Sequence, residues 1–227
     1  MCGRFVRKKS SRQIAEQFHA QVLQELPPSY NIAPTDEVSA IIADPEQGRS
    51  LVSMRWGLVP KQAADIRVGA RLINARSETL ERTAAFRNPF KYRRCLIVAS
   101  GFYEWEKIGK EKIPMLLRLR SDETFAFAGL YDVWTPPSGA PVTTCTIITT
   151  EPNEAAKPIH DRMPVILARG AEDLWLSPEF NPEVLNSLLR PYPSQEMEAF
   201  EVSRLVNSVK NDSPECIEPV AWSERLF

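Results

Sequence analysis

Met115-Leu116-Leu117-Arg118-Leu119-Arg120 and, shortly after it, Thr124-Phe125-Ala126-Phe127-Ala128-Gly129-Leu130 decide the fold class. In the first run Leu117 and Leu119 alternate with Arg118 and Arg120; in the second Phe125 and Phe127 alternate with Ala126 and Ala128. A period of two sends successive side chains to opposite faces of an extended chain, so both runs read as strands. Similar short β-compatible runs occur at Val38 to Ala43, Leu51 to Trp56, Cys95 to Ala99, Gly101 to Trp105, Val142 to Thr149 and Val165 to Ala168. Many short strands without helical crossovers argue against a parallel sheet. The expected fold is α+β, a single domain over residues 1–227 built on a twisted, barrel-like, mainly antiparallel sheet with short peripheral helices.

Helical patterning is confined to the periphery. After Ser11, Ile14, Phe18, Val22 and Leu26 recur at fourfold spacing up to Pro27-Pro28, which predicts one amphipathic helix. Shorter helices are predicted at Thr79 to Phe86, Glu172 to Trp175 and Pro182 to Leu189, and Thr135 to Pro141 reads as a hairpin loop. The 227 residues carry 28 basic and 29 acidic side chains, a net charge of −1, so net charge gives no argument for a polyanionic partner and only a local basic groove would bind one. No apolar run approaches the roughly 18 residues of a membrane span and no signal-like segment follows the charged start, so a cytoplasmic protein is expected. Cys2, Cys95, Cys145 and Cys216 lie far apart, with only His19 and His160 to complete a metal site; neither disulfides nor a metal is expected.

Cys2 is the first residue with chemistry of its own. Removal of Met1 would leave an N-terminal cysteine, a 1,2-aminothiol whose amine and thiol have ordinary pKa values of about 8 and about 8.5. An aldehyde meeting that pair forms an imine with the amine and is then trapped by the thiol as a five-membered thiazolidine. The plainer alternative is a small residue that happens to follow the start. In Asn74-Ala75-Arg76-Ser77, the amide of Asn74 suits the orientation of a reacting amine and Arg76 suits a phosphate, while Ser77 as a helix N-cap beside a surface arginine is the competing reading. In Gly101-Phe102-Tyr103-Glu104-Trp105-Glu106, alternation puts Glu104 on the face of Phe102. If that face is inward, Glu104 is a buried carboxylate with a raised pKa fit for acid-base work; if outward, it is a solvated surface residue. His160, in a turn bounded by Pro158 and Pro164, is either a proton shuttle or a structural histidine, Arg162 beside it would add a phosphate contact, and His19 reads as a surface residue.

Taken in order, Met1-Cys2-Gly3-Arg4-Phe5, Tyr30-Asn31-Ile32-Ala33-Pro34, Trp56-Gly57-Leu58-Val59-Pro60, Asn74-Ala75-Arg76-Ser77-Glu78-Thr79, Gly101-Phe102-Tyr103-Glu104-Trp105, His160-Asp161-Arg162-Met163-Pro164 and Val209-Lys210-Asn211-Asp212 resemble the SRAP family, the SOS-response-associated peptidases also called abasic site processing proteins. The likeness runs from Cys2 to about Pro219. It implies a protein that senses abasic sites in single-stranded DNA and captures the sugar aldehyde through Cys2 as a thiazolidine crosslink during the DNA damage response. By the same resemblance Asn74 positions Cys2, Glu104 and His160 handle protons, Arg4, Arg76 and Arg162 hold backbone phosphates, and Trp105 packs near the DNA. It implies no cofactor, no metal, no membrane, a monomer, and association with the nucleoid when bound to damaged DNA.

One position departs from the family pattern. Many relatives have a tryptophan two positions after the Trp-Gly-Leu-Val-Pro motif, where this chain has Lys61-Gln62. A missing stacking platform forfeits about 1 to 3 kcal/mol per base, which Lys61 and Arg67 would offset in part electrostatically. Two other functions compete: a cysteine peptidase, general or autoproteolytic, using Cys2 and His160, and a non-catalytic single-stranded DNA-binding protein. Associated lyase activity is a further expectation of the crosslinking reading.

Overall fold

The computed structural model describes residues 2–137 and 139–220. In chain order the elements are β1 (Arg4–Arg7), α1 (Ser11–Phe18), β2 (Ala20–Val22), β3 (Ser29–Ile32), β4 (Glu37–Asp44), β5 (Gly48–Trp56), β6 (Asn74–Arg76), α2 (Ala84–Tyr92), β7 (Arg94–Ala99), β8 (Gly101–Ile108), β9 (Glu111–Leu119), β10 (Phe125–Trp134), β11 (Val142–Thr150), β12 (Met163–Pro164), α3 (Ala171–Leu176), α4 (Pro182–Leu188) and β13 (Met197–Glu201). Strand β11 pairs with β10 on one side and with β5 on the other, and β10-β7-β4-β5 completes the circuit, so five strands close into a barrel. Closure removes the exposed edges that a small sheet would otherwise present. A second sheet, in the order β13-β9-β8-β1-β3, is antiparallel throughout and packs on the barrel. The expected α+β barrel-like architecture is present, with parallel contacts, among the described residues, only at β2–β5, β5–β11 and β6–β11.

The inward faces of both sheets meet in one apolar core. Phe5 of β1 stands edge-on to Trp56 and Phe127, with ring centroids 5.2 and 5.7 Å apart, and Phe102 meets Phe127 at 6.2 Å. Cys2 belongs to the same cluster. The helices cover the outside of the barrel through Ile14 and Phe18 of α1, Phe90 of α2, Trp175 of α3 and Leu185 of α4. Buried Arg94 ties α2 and α3 to the barrel, donating from Nε to the Trp175 carbonyl and from Nη1 to those of Phe90 and Lys91, each at 2.8 Å. These carbonyls lie at helix C-termini, where no intrahelical partner exists.

Several sequence expectations need correction. The first helix stops at Phe18: His19 adopts φ 52, a left-handed cap, and Ala20–Val22 leaves as a strand parallel to β5. The start agrees, since Ser10 and Gln13 form a reciprocal capping box. The helix expected at Thr79 to Phe86 lies further on as α2, with Thr83 at the N-cap position, so Ser77 is not its N-cap; Ser77 opens a short 3-10 turn, Ser77–Thr79. Val165 to Ala168 is not a regular strand: the Val165 N–H donates to Ile148 of β11, its carbonyl accepts from Ala128 of β10, and the Leu167 N–H donates to Ala126 of β10, without forming a ladder.

Candidate active site

Cys2 lies just ahead of β1 and is fully buried. β1 runs antiparallel to β8 with Arg4 opposite Tyr103 and Phe5 opposite Phe102, which brings Glu104, the next residue of β8, alongside the start of the chain. Glu104 is only 5% exposed. Burial pushes its carboxyl up to about 7. The Cys2 thiol is driven above its ordinary range, first by burial and then by the Glu104 charge. Near neutrality Cys2 is therefore a thiol and not a thiolate.

Asn74 arrives from the other sheet. Parallel pairing of β6 with β11 sets Asn74 opposite Ile147, Ala75 opposite Ile148 and Arg76 opposite Thr149. Asn74 Nδ2 donates to the Cys2 carbonyl at 2.8 Å. Its Oδ1 is buried without a hydrogen-bond partner among the described residues, an acceptor left available beside Cys2. Ala75 points into the core and Arg76 outward into solvent, as alternation requires.

His160 sits in the connection between β11 and β12. Asn153 organises that turn: its Oδ1 accepts from the backbone N–H of Ala155 and Ala156, and the Ala156 carbonyl accepts from the His160 N–H at 2.9 Å. The Arg162 backbone N–H donates to His160 Nδ1 at 3.0 Å. Burial holds the imidazole below its usual pKa, while Asp161, with Oδ1 2.8 Å from Nδ1, acts in the opposite direction.

The arginines occupy distinct settings. Arg76 is exposed at the end of β6. Arg162 is held as a fork, Nη1 to Glu78 Oε1 at 2.6 Å and Nη2 to Glu78 Oε2 at 3.0 Å, with Nη2 also donating to the Thr149 carbonyl at 2.6 Å. Arg4 donates from Nη1 to Asn31 Oδ1 and to the Val206 carbonyl, and its guanidinium lies 5.9 Å from the Trp105 ring centre. Trp105 is half-buried and donates from Nε1 to Asn207 Oδ1 at 2.8 Å.

Sequence reasoning assigned no role to Asn31 or Asp212, although both stand in the motifs of the family resemblance. Asn31 Nδ2 donates to the carbonyls of Val206, Ser208 and Asn211, and the Asp212 carboxylate accepts from the N–H groups of Tyr30 and Asn31. Together they bind the 204–212 segment against β3, and so support Arg4 and Trp105. Glu78, Asn153 and Thr149 were likewise not singled out. A cleft of about 1140 Å³ lined by Gln17, Arg49, Arg120 and Arg169 contains none of the chemistry-bearing residues, so concavity alone does not locate the site. Among the described residues no group of three or more His, Cys, Asp or Glu side chains is placed to hold a metal ion.

The family model for SOS response associated peptidase (SRAP) matches residues 1–209, nearly the whole chain. The chain belongs to the SRAP family. Among its SRAP relatives, the abasic site processing protein YoqW of Bacillus subtilis (strain 168) is 50% identical over 225 residues, covering 96% of this chain and 99% of that protein. The abasic site processing protein HMCES of Gallus gallus is 34% identical, covering 85% of this chain and 66% of that one. A crystal structure of a protein from Bacteroides thetaiotaomicron superposes with a TM-score of 0.89 over 97% of this chain and 100% of that one at 24% identity, which shows a shared fold. No helix among the described residues is long and apolar enough to cross a membrane.

Proposed function

We propose that the protein processes abasic sites by covalent capture in single-stranded DNA, through Cys2 after removal of Met1. The observation that carries this reading is the convergence of two groups from separate strands on Cys2 and its neutral thiol: the Asn74 amide and the Glu104 carboxyl with a pKa of about 7. The relatives' shared name, abasic site processing protein, supplies the substrate.

The order of events follows from the protonation states. The free amine attacks the ring-opened sugar aldehyde; carbinolamine dehydration expels one water and leaves an imine. The thiol sulfur then adds to the imine carbon, its proton passing to the nitrogen, and the ring closes as a thiazolidine. Glu104 takes the proton that would keep the amine an unreactive ammonium, and Asn74 Oδ1 accepts an amine hydrogen to aim the lone pair. His160 acts as the acid in its protonated form, giving one proton to the sugar oxygen during ring opening and reversal and returning to the neutral imidazole. Arg4, Arg76 and Arg162 hold the flanking phosphates, and Trp105 packs against the strand.

A general cysteine peptidase would need a thiolate stabilised by an imidazolium, whereas burial and Glu104 both disfavour that ion pair. We assign to proteolysis only the cleavage between Met1 and Cys2. The protein acts as a monomer without a cofactor, in the cytoplasm and on damaged DNA in the nucleoid.

Intact-mass analysis after mixing with a single strand bearing one abasic site tests the reading. The expected species is protein lacking Met1 plus the strand, less one water. An unmodified protein mass after full exposure, or an adduct that persists in Cys2→Ala, overturns it.

A further inference from the structure

Arg162 presents a planar fork, and a carboxylate already fills it. The two guanidinium nitrogens meet the two oxygens of Glu78 at 2.6 and 3.0 Å, the bidentate arrangement with which arginine also binds a phosphate. The rest of the guanidinium is fixed: Nη2 donates to the Thr149 carbonyl and Nε is buried without a hydrogen-bond partner among the described residues. The Arg162 side chain is 14% exposed, so it has little freedom to swing out, whereas Glu78 is 53% exposed. Glu78 rides on the Ser77–Thr79 turn directly after exposed Arg76, whose strand β6 is paired with β11 at Thr149. The two cations and the carboxylate thus lie on one patch, adjoining His160 through the Arg162 N–H.

We propose that Glu78 is a specificity-determining residue: an internal stand-in for phosphate that occupies the Arg162 fork in the free protein and must be displaced by the strand. This rests on the reading that Arg162 contacts a backbone phosphate. The consequence is discrimination. Undamaged single strands gain one contact only by breaking another and dissociate readily, while a strand with an abasic aldehyde is retained by the covalent bond. Displacement also alters the salt dependence. In the free protein Glu78 neutralises Arg162, and once expelled it lies near the incoming phosphates, so this contact releases fewer counterions than an open arginine would.

The test is equilibrium binding, by fluorescence anisotropy across a salt series, of a labelled single strand containing a tetrahydrofuran abasic analogue, which has no aldehyde. Glu78→Gln is expected to bind about two- to fivefold tighter at moderate salt, the range of a half-exposed ion pair, with a salt slope steeper by about 0.7. In an Arg162→Ala background the same substitution should leave the slope unchanged. Weaker binding by a folded Glu78→Gln, shared by Glu78→Ala, would make Glu78 an orienter of Arg162 and overturn the proposal while leaving the phosphate reading intact. Equal tightening with and without Arg162 would reduce the effect to a general surface charge and overturn it too. If Arg162→Ala alone changes neither affinity nor slope, the phosphate reading fails and the proposal with it.

Discussion

Replacing Glu104 with glutamine removes an ionisation while keeping the shape of the side chain, and the structure sets the size of the effect. Burial moves the carboxyl from an ordinary 4.5 to about 7 in the folded protein, while the unfolded chain keeps the ordinary value. Between those two pH values the folded protein binds more protons than the unfolded chain, so stability falls as pH rises through the window. Below 4.5 both states are protonated and above 7 both are ionised, and the pH dependence from this group vanishes. At about 1.4 kcal/mol per pH unit, the interval amounts to about 3 kcal/mol of stability present in acid and lost above neutrality. Glu104→Gln should abolish that contribution. Urea denaturation of both proteins from pH 4 to 9 isolates it, because titrating groups that do not interact with Glu104 cancel in the difference. The variant should gain on the wild type steadily through the window, reaching about 3 kcal/mol at pH 8. A constant difference across the whole range would refute the buried-carboxyl reasoning. Capture kinetics supply a second readout: the wild-type rate should rise with pH to a plateau above about 7, and the variant should lose that limb as well as speed. If the stability difference appears but the rate profile does not change, Glu104 is buried for structural reasons and the proton-transfer role falls.

Three further outcomes are expected. Asn74→Ala removes the amide held 2.8 Å from the Cys2 carbonyl and should slow capture about tenfold, with a stability loss of about 1 kcal/mol, read by single-turnover crosslinking and by urea melts. Arg76→Ala should flatten the salt slope for single strands by about 0.7, measured by anisotropy; an unchanged slope removes Arg76 from the phosphate contacts. Gly57→Ala meets two obstacles, a backbone φ of 124° and a new Cβ 2.7 Å from the Gly69 carbonyl oxygen, and should cost about 2 to 4 kcal/mol in thermal or urea unfolding; a neutral result would show that the 57–69 apposition yields easily.

The strand content was legible because alternation is a local signal: Leu117 and Leu119, or Phe125 and Phe127, face inward whatever they pair with. The helix starting at Ser11 was legible at its start, where Ser10 and Gln13 act within one turn, and misread at its end. Val22 continues the fourfold spacing from Ile14 and Phe18, but it is tertiary pairing with Leu51 of β5 that claims it, after His19 has turned the chain. Barrel closure was not readable, since it depends on Thr144 and Cys145 of β11 meeting Arg55 and Trp56 across the chain. Glu104 was ambiguous for a physical reason. At that end of β8 both faces are covered, Phe102 by the main core and Tyr103 by Val6, Leu116 and Val206, so alternation carries no information about which side is solvent.

The same closure explains how candidate residues far apart in sequence are each held in place. Asn74 depends on the β6–β11 register, Glu104 on the β1–β8 register, and His160 on the turn that leaves the end of β11. Strand β11 holds two of the three, and the barrel fixes β11 from both sides. A slip of one residue in β6 would put Ala75 in place of Asn74 and turn Arg76 inward, so the register is specified by the burial of Ala75 and not by the polar residues themselves. The apolar core therefore sets the position of each polar group. Burial of Glu104 and Cys2 then sets their protonation, a carboxyl poised near neutrality beside a thiol kept neutral. Under the capture we propose, the amine is the group that Glu104 activates, and sulfur adds only after the imine has formed.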